Sequence, residues 1–198
     1  MGTRILKEMK TSRYWRPKQH FLQMFFHVFR GGDIRSCIEF GANIGLNLLA
    51  LHRLLPEMQL SAVEINAAAA ARCAEIENTH VYHTSIFDFT SDEKFDLTFT
   101  SGVLIHIQPD HLPKVYDSLY FYSRKYILIN EYYNPTPLEV NYRGFSERLF
   151  KRDFAGEFLD RFEDVRLVNY GFRYHRDKNF PMDDLTWFLM KKTDKQRG

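Results

Sequence analysis

Short apolar runs alternate with helical segments along most of this 198-residue chain. That alternation predicts an α/β fold, a mostly parallel sheet with helices on both faces. Two local patterns sharpen the expectation. The stretch Cys37-Ile38-Glu39-Phe40-Gly41-Ala42-Asn43-Ile44-Gly45-Leu46-Asn47 reads as a buried strand that ends in an acid, turns through glycines and launches a helix. The next apolar run, Leu60-Ser61-Ala62-Val63-Glu64-Ile65-Asn66, also ends in an acid. A strand, a glycine turn, a helix and an acid-tipped second strand make a nucleotide-binding half of a Rossmann-like sheet.

The elements follow in order. Between Arg13 and Arg30 the residues Phe21, Leu22, Met24, Phe25, Phe26, Val28 and Phe29 suit a helix buried on a broad face, ending at Gly31-Gly32. Its approach, Tyr14-Trp15-Arg16-Pro17, reads either as a lid or strap over a pocket or as aromatic packing on the sheet. The first strand is expected over Ile34 to Phe40, and its helix from Ile44 to Leu55, stopped by Pro56. A second strand runs from Gln59 to Glu64, and the alanine run predicts a helix from Ala67 to Glu77. Strand three lies near His80 to His83 and strand four at Phe95 to Thr100. A helix begins at Pro109, a good first-turn residue, and reaches Ser123. Strand five covers Tyr126 to Asn130, a long connection contains Tyr132 to Gly144, and a helix covers Lys151 to Asp160 with Asp153 near its start. Val165 to Tyr174 and Leu185 to Lys191 make a final antiparallel pair. Three regions result: an N-terminal helical lid or strap (1–33), one α/β domain (34–192) and a tail (193–198).

Composition excludes several classes. The net charge of +2 does not suit a polyanion binder, so no nucleic-acid partner is expected. Met1 to Lys10 is polar and basic rather than a signal peptide, and no apolar run approaches the roughly 20 residues that cross a bilayer. Cys37 and Cys73 lack metal spacing and read as reduced structural thiols of a cytoplasmic protein, and no metal is expected. The 18 Phe and 11 Tyr exceed what a core of this size needs and suggest a lined pocket.

The turn itself discriminates between cofactors. Dinucleotide enzymes use G-x-G-x-x-G to bring backbone against a pyrophosphate. Here the turn is G-A-N-I-G, with Glu39 two residues ahead of it. A carboxylate there repels a pyrophosphate and attracts an ammonium. A cofactor with an amino-acid end, a ribose, an adenine and no phosphate fits, and S-adenosylmethionine is such a molecule. Gly41 would let the backbone approach that ligand, and Gly45 would allow tight helix–strand packing. Glu64 stands where a carboxylate accepts from both ribose hydroxyls, roughly 20 residues beyond the turn. The bland alternative is that Glu39 and Glu64 are ordinary exposed strand-end acids.

These residues resemble motif I of the class I S-adenosylmethionine-dependent methyltransferases, E-x-G-x-x-x-G, with Asn43 where the middle glycine of the commoner pattern stands. Ser85-Ile86-Phe87-Asp88-Phe89 resembles the acidic loop after the third strand, which implies a carboxylate, Asp88, on the adenine amino group. Phe95 to Ile107 resembles the fourth strand and the loop facing the methyl donor. Gly41-Ala42-Asn43-Ile44-Gly45-Leu46-Asn47, Gly102-Val103-Leu104-Ile105-His106-Ile107, Glu131 to Pro137, Leu149 to Glu157 and Tyr174-His175-Arg176-Asp177 together resemble the methylases associated with pseudaminic acid biosynthesis. The resemblance spans about Arg35 to Lys192. It implies a seven-stranded sheet of order 3-2-1-4-5-7-6 with strand 7 antiparallel. It also implies a cofactor site made of Glu39, Gly41, Ala42, Asn43, Gly45, Glu64, Ile65, Ser85, Ile86, Asp88, Ser101, Gly102 and Val103.

Methyl transfer is an in-line displacement at an activated centre, so the enzyme mainly aligns a nucleophile. A hydroxyl or ammonium acceptor also needs a base. His106, after strand four, is the base candidate, and its alternatives are a packing role or simple orientation of the acceptor. Tyr132 and Tyr133 either orient the acceptor or cover the core edge. Arg143, Arg148, Lys151, Arg152, Arg173 and Arg176 gather in the C-terminal third, and arginine forks suit carboxylate or phosphate. Tyr14, Arg143, Arg148, Arg152 and Arg176 are therefore the expected contacts to a small anionic acceptor, a sugar nucleotide or a nonulosonic acid of a bacterial surface-glycan pathway. A solvated surface with ordinary salt bridges to Glu147, Asp153 and Glu157 is the plain alternative. Two other functions compete: a methyltransferase for protein or RNA, and a non-catalytic cofactor-binding protein of the same pathway. Thr100-Ser101-Gly102-Val103 stands where a base methyltransferase carries N-P-P-Y or D-P-P-Y, which argues against amino-group methylation of a base. The oligomeric state is not readable.

Overall fold

A computed structural model describes residues 34–139, 149–178 and 183–193. The proposed lid (1–33) and residues 194–198 lie outside the described residues.

The first strand, β1 (Ser36–Phe40), is buried along its whole length. Burial at every position suits a central parallel strand covered on both faces. After the glycine turn comes α1 (Leu46–Leu54), whose Leu48, Leu49 and Leu51 are buried. β2 (Gln59–Val63) leads to α2 (Ala67–Cys73). Asn66 caps α2, its side-chain oxygen accepting from the Ala69 amide at 3.0 Å. The helix stops short of the expected Glu77, because a tight turn reaches Asn78 in the left-handed region at φ 57°. β3 (Thr79–Tyr82) and β4 (Phe95–Ser101) follow.

Beyond β4 the chain makes two 3₁₀ turns, Leu104–His106 and Pro109–His111, before α3 (Leu112–Tyr122). The helix expected from Pro109 thus begins as a 3₁₀ turn. α3 passes directly into β5 (Ser123–Glu131), which starts earlier than its apolar run suggests. Lys192 holds that junction, its ammonium donating to the Tyr120 and Ser123 carbonyls at 2.6 and 2.7 Å. A small antiparallel pair, β6 (Leu138–Glu139) and β7 (Phe150–Lys151), lies outside the main sheet. α4 (Phe154–Arg161) is capped by Asp153, whose carboxylate accepts from the Gly156 amide at 2.8 Å. Lys151, expected in this helix, belongs to β7 because the cap fixes the helix start after it. β8 (Val165–Arg173) and β9 (Leu185–Lys192) complete the chain.

The main sheet runs β3-β2-β1-β4-β5-β9-β8. With the β6–β7 pair left out of the count this is the expected order 3-2-1-4-5-7-6. Only β9 is reversed, pairing antiparallel with both β5 and β8. Side chains alternate between two cores, as the two-residue period of a strand requires. Cys37, Leu97, Phe99 and Leu128 pack with Leu48, Leu51 and Cys73 on the α1–α2 face. Ile38, Phe40, Ile127 and Ile129 pack with Val115, Leu119 and Phe158 on the α3–α4 face. Both cysteines are free and buried, and burial pushes the Cys73 thiol up to about 12. Thr193, placed in the tail from sequence, is tied to the domain by its amide donating to the Asp164 carbonyl at 2.7 Å. No helix among the described residues is long and apolar enough to cross a membrane. The carboxyl ends of β1, β2, β4 and β5 share one edge, where ligands bind in open α/β sheets.

Candidate functional site

A cleft of about 770 Å³ opens at that edge, between the turn after β1, the start of α2, the segment after β3 and the loop after β4. Its floor is the glycine turn. Gly41 and Gly45 have φ of 75° and 73°, and Asn43 between them has φ 51°. The position where a glycine is commoner is therefore left-handed, and asparagine is the side chain that best tolerates that region. A Cβ on Gly41 would stand 2.7 Å from the Val103 Cγ2 atom. This glycine thus admits the β4 loop against the turn, not only a ligand as the sequence suggests. At Gly45 a Cβ would meet Ile76 and Cys73, so the tight packing expected there is against the end of α2.

Every amide of the turn has a partner within the protein. The Gly41 and Ala42 amides donate to the Val63 carbonyl at 2.8 and 3.2 Å, and Gly45 donates to the Ala42 carbonyl at 3.0 Å. Asn43 donates to the Glu64 carboxylate at 2.7 Å, and Ile44 to the Asn43 side-chain oxygen at 2.8 Å. No nest of open N–H groups is left there for a phosphate. The other Glu64 oxygen accepts the Asn66 amide at 2.7 Å. Glu64 lines the cleft at 8% exposure. With one amide on each oxygen, its carboxylate keeps acceptor capacity on both.

The structure brings Gly41, Asn43, Glu64, Ile65, Ser85, Ile86, Gly102, Val103 and His106 together as cleft lining. Others sit elsewhere. Glu39 is 1% exposed, and its carboxylate accepts from the Asn47 side chain on α1. It braces the turn from behind instead of facing the cleft. Ala42 is buried in the α1–α2 core. Ser101 accepts from the Asn130 side chain at 2.9 Å beside the cleft. Asp88 is exposed and not among the lining residues. The sequence reading missed Ile44, Asn66, Arg72, Thr84, Phe87 and Ile107, which also line the cleft. Asn66 was legible as a helix cap, and Ala68, Ala69 and Arg72 as one helical face at i, i+1 and i+4 spacing. What was not legible is that this face looks into the cleft.

His106 ends the first 3₁₀ turn, its amide donating to the Val103 carbonyl at 2.9 Å. Desolvation by the cleft wall holds its imidazole below the ordinary value, so it is neutral near pH 7. Tyr132 and Tyr133 do not join it in the cleft lining. The Tyr132 hydroxyl donates to Asp183 at 2.7 Å, and Tyr133 packs on Phe188 with ring centroids 5.7 Å apart. Arg152 donates to Glu157 at 2.6 Å, and Glu157 also accepts from the Tyr116 hydroxyl at 3.0 Å. The salt-bridge alternative therefore describes Arg152. Arg173 is buried and donates to the Asp183 carbonyl at 3.0 Å, whereas Arg176 is exposed. Tyr14, Arg143 and Arg148 lie outside the described residues.

This sheet order and its edge cleft define a Rossmann-like methyltransferase fold, and comparison with solved structures agrees. The chain is similar to the N-methyltransferase NodS from Bradyrhizobium japonicum WM9, at 14% identity and TM-score 0.69, covering 90% of this chain and 97% of that one. It is similar to a Burkholderia thailandensis 1,6-didemethyltoxoflavin-N1-methyltransferase, crystallised with bound 1,6-didemethyltoxoflavin and S-adenosylhomocysteine, at 16% identity and TM-score 0.66, covering 98% of this chain and 87% of that one. Magnesium protoporphyrin IX methyltransferase from Synechocystis PCC 6803, with bound S-adenosylmethionine, matches at 11% identity and TM-score 0.66, covering 90% and 80%. No family profile matches the sequence, and it matches no curated protein.

Proposed function

We propose that this protein is an S-adenosylmethionine-dependent methyltransferase acting on a small, anionic, sugar-related acceptor, a sugar nucleotide or nonulosonic acid of a bacterial surface-glycan pathway. One observation carries the cofactor assignment. The turn commits its amides to protein acceptors and sets the Glu64 carboxylate beside them. That suits a nucleoside with free ribose hydroxyls and no phosphate. The fold's likeness to methyltransferases adds support. The acceptor class rests on the sequence motifs and on the cationic side chains of the C-terminal third.

In this reading Glu64 and Ser85-Ile86 hold the nucleoside, and Gly102-Val103 wall off the sulfonium end. The cofactor supplies a methyl group on an already activated sulfur. His106, neutral near pH 7, would accept the proton of an acceptor hydroxyl as it attacks, or take a proton from an ammonium first so that the free amine attacks. A carboxylate or phosphate acceptor needs no such step, and His106 then only orients it.

The test is S-adenosylhomocysteine formation by the purified protein with a panel of sugar nucleotides, free nonulosonic acids, peptides and RNA. Turnover confined to the anionic sugars supports the reading. Turnover only with peptide or RNA overturns the acceptor assignment, and cofactor binding without turnover on any of them favours the non-catalytic alternative.

A further inference from the structure

The last residue of β5, Glu131, is 2% exposed, yet none of the chemistry above uses it. One of its oxygens, Oε1, accepts the amides of Val103 and Leu104 at 2.9 and 3.1 Å. The Ile105 amide also acts on the carboxyl. Three successive N–H groups at the start of a 3₁₀ turn form a concave nest for an acceptor. That turn is Leu104–His106, and its residues Leu104 and Ile105 are buried. Without Glu131 these amides would lose their acceptor in an apolar surrounding.

From this clamp the chain runs straight into the cleft. Val103 lines it, and its side chain fills the space that a Cβ on Gly41 would need. The Val103 carbonyl accepts the His106 amide, and His106 is the next polar group on the same wall. Gly102 is tied in parallel, its amide donating to the Asn130 carbonyl at 3.0 Å. One carboxyl on β5 therefore fixes the wall that follows β4.

We propose that Glu131 is a positioning residue: by capping the Leu104–His106 turn from β5 it sets the place of Val103 and of the His106 imidazole on the cleft wall. The role of His106 in transfer rests on the proposed function, but the capping does not. The second carboxyl oxygen, Oε2, is buried without a hydrogen-bond partner, and so is the Thr100 hydroxyl of β4, which acts on the carboxyl in favour of its charged form. A protonated carboxyl can donate to that hydroxyl while Oε1 keeps both amides. Burial raises the Glu131 carboxyl to about 7, so both forms exist near neutrality. The titratable groups facing it are Tyr116 of α3 and Tyr132 next in the chain, both held far above their ordinary range and neutral throughout. The Arg152–Glu157 ion pair lies behind Tyr116, Arg173 behind Tyr132, and Thr186 stands opposite on β9.

The test is amide and imidazole NMR on the full chain as wild type, E131Q and E131M, from pH 5 to 8.5, without ligand. In wild type the Val103 and Leu104 amides are expected to move through one shared transition near neutrality. E131Q keeps both bonds through its amide oxygen, so the amides stay near their wild-type positions, the shared transition disappears and the His106 midpoint is retained. E131M removes the acceptor, so both amide signals shift and the His106 midpoint rises toward the ordinary value of about 6.5. Persistence of the shared transition in E131Q overturns the proposal. So does a folded E131M with unchanged Val103 and Leu104 amides or an unchanged His106 midpoint. If E131M does not fold, E131Q alone decides. Because no ligand is used, a failure here is separable from a failure of the cofactor reading.

Discussion

The two halves of the sheet are built in different ways. In the β1–β2–β4 half, the cleft is held by backbone: turn amides on protein acceptors and the Glu64 carboxylate, which takes a pair of amides. In the β5–β9–β8 half, the contacts are between side chains far apart in sequence, such as Tyr132 with Asp183 and Tyr116 with Glu157. Its outer strand also leaves Val168, Tyr170 and Phe172 exposed. The first half has a rigid floor suited to one fixed ligand. The second commits Arg152 to Glu157 and Arg173 to the Asp183 carbonyl, and an acceptor would have to compete with those contacts.

The sharpest way to break this contrast is G41V. The new side chain would press on Val103 from a left-handed position. Such strain costs on the order of 1–3 kcal/mol, with overpacking of similar size added. Loss of S-adenosylmethionine binding is expected, read by calorimetry beside a thermal melt. Retained affinity would mean that turn and wall move independently.

H106A should leave cofactor affinity unchanged and slow transfer to a hydroxyl or ammonium acceptor by roughly 10²–10⁴-fold, the usual worth of a general base. Equal turnover in that variant removes His106 from the mechanism.

Glu131 makes the wall after β4 sensitive to pH. Its folded value of about 7 lies above the ordinary 4.5. Between these values the folded protein holds a proton that the unfolded chain has lost. Stability therefore falls as pH rises through that window, by on the order of 3 kcal/mol, and levels off above it. In E131Q that loss should be absent, which denaturant titrations at pH 4.5 and 8 would reveal. Parallel wild-type and E131Q profiles would show that the carboxyl is not strained by burial.

The smallest effects separate the halves directly. E64A should weaken cofactor binding by about 1–3 kcal/mol, the range for losing charged hydrogen bonds. R152A should leave cofactor binding unchanged and cost about 1 kcal/mol or less of stability, as a partly exposed ion pair does. If R152A instead raises the acceptor KM without loss of stability, Arg152 leaves Glu157 to bind the acceptor.

The same contrast explains what could be read from sequence. The turn, Glu64 and α2 fall within about 40 residues, and each announces itself by local chemistry: glycines, a strand-end acid, a cap before an alanine run. The sheet order followed from resemblance, and alternation alone would not have supplied it. Glu39 was ambiguous from sequence, because a strand-end acid can face outward into a cleft or inward onto a helix, and here it accepts from Asn47 on α1. β6 and β7 have two residues each, too few for any periodicity to register. Glu131 stands out in the sequence only as the start of a segment that carries the resemblance. Its partners stand 27 and 28 residues away across a strand pairing, which no local pattern encodes.

The central claim is that the turn and Glu64 hold a phosphate-free nucleoside cofactor. Calorimetric titration of the purified protein with S-adenosylmethionine and, separately, with NADH tests it most directly. The account predicts micromolar binding of the sulfonium compound and none of the dinucleotide. Binding of NADH, or of neither compound by a folded protein, would contradict it.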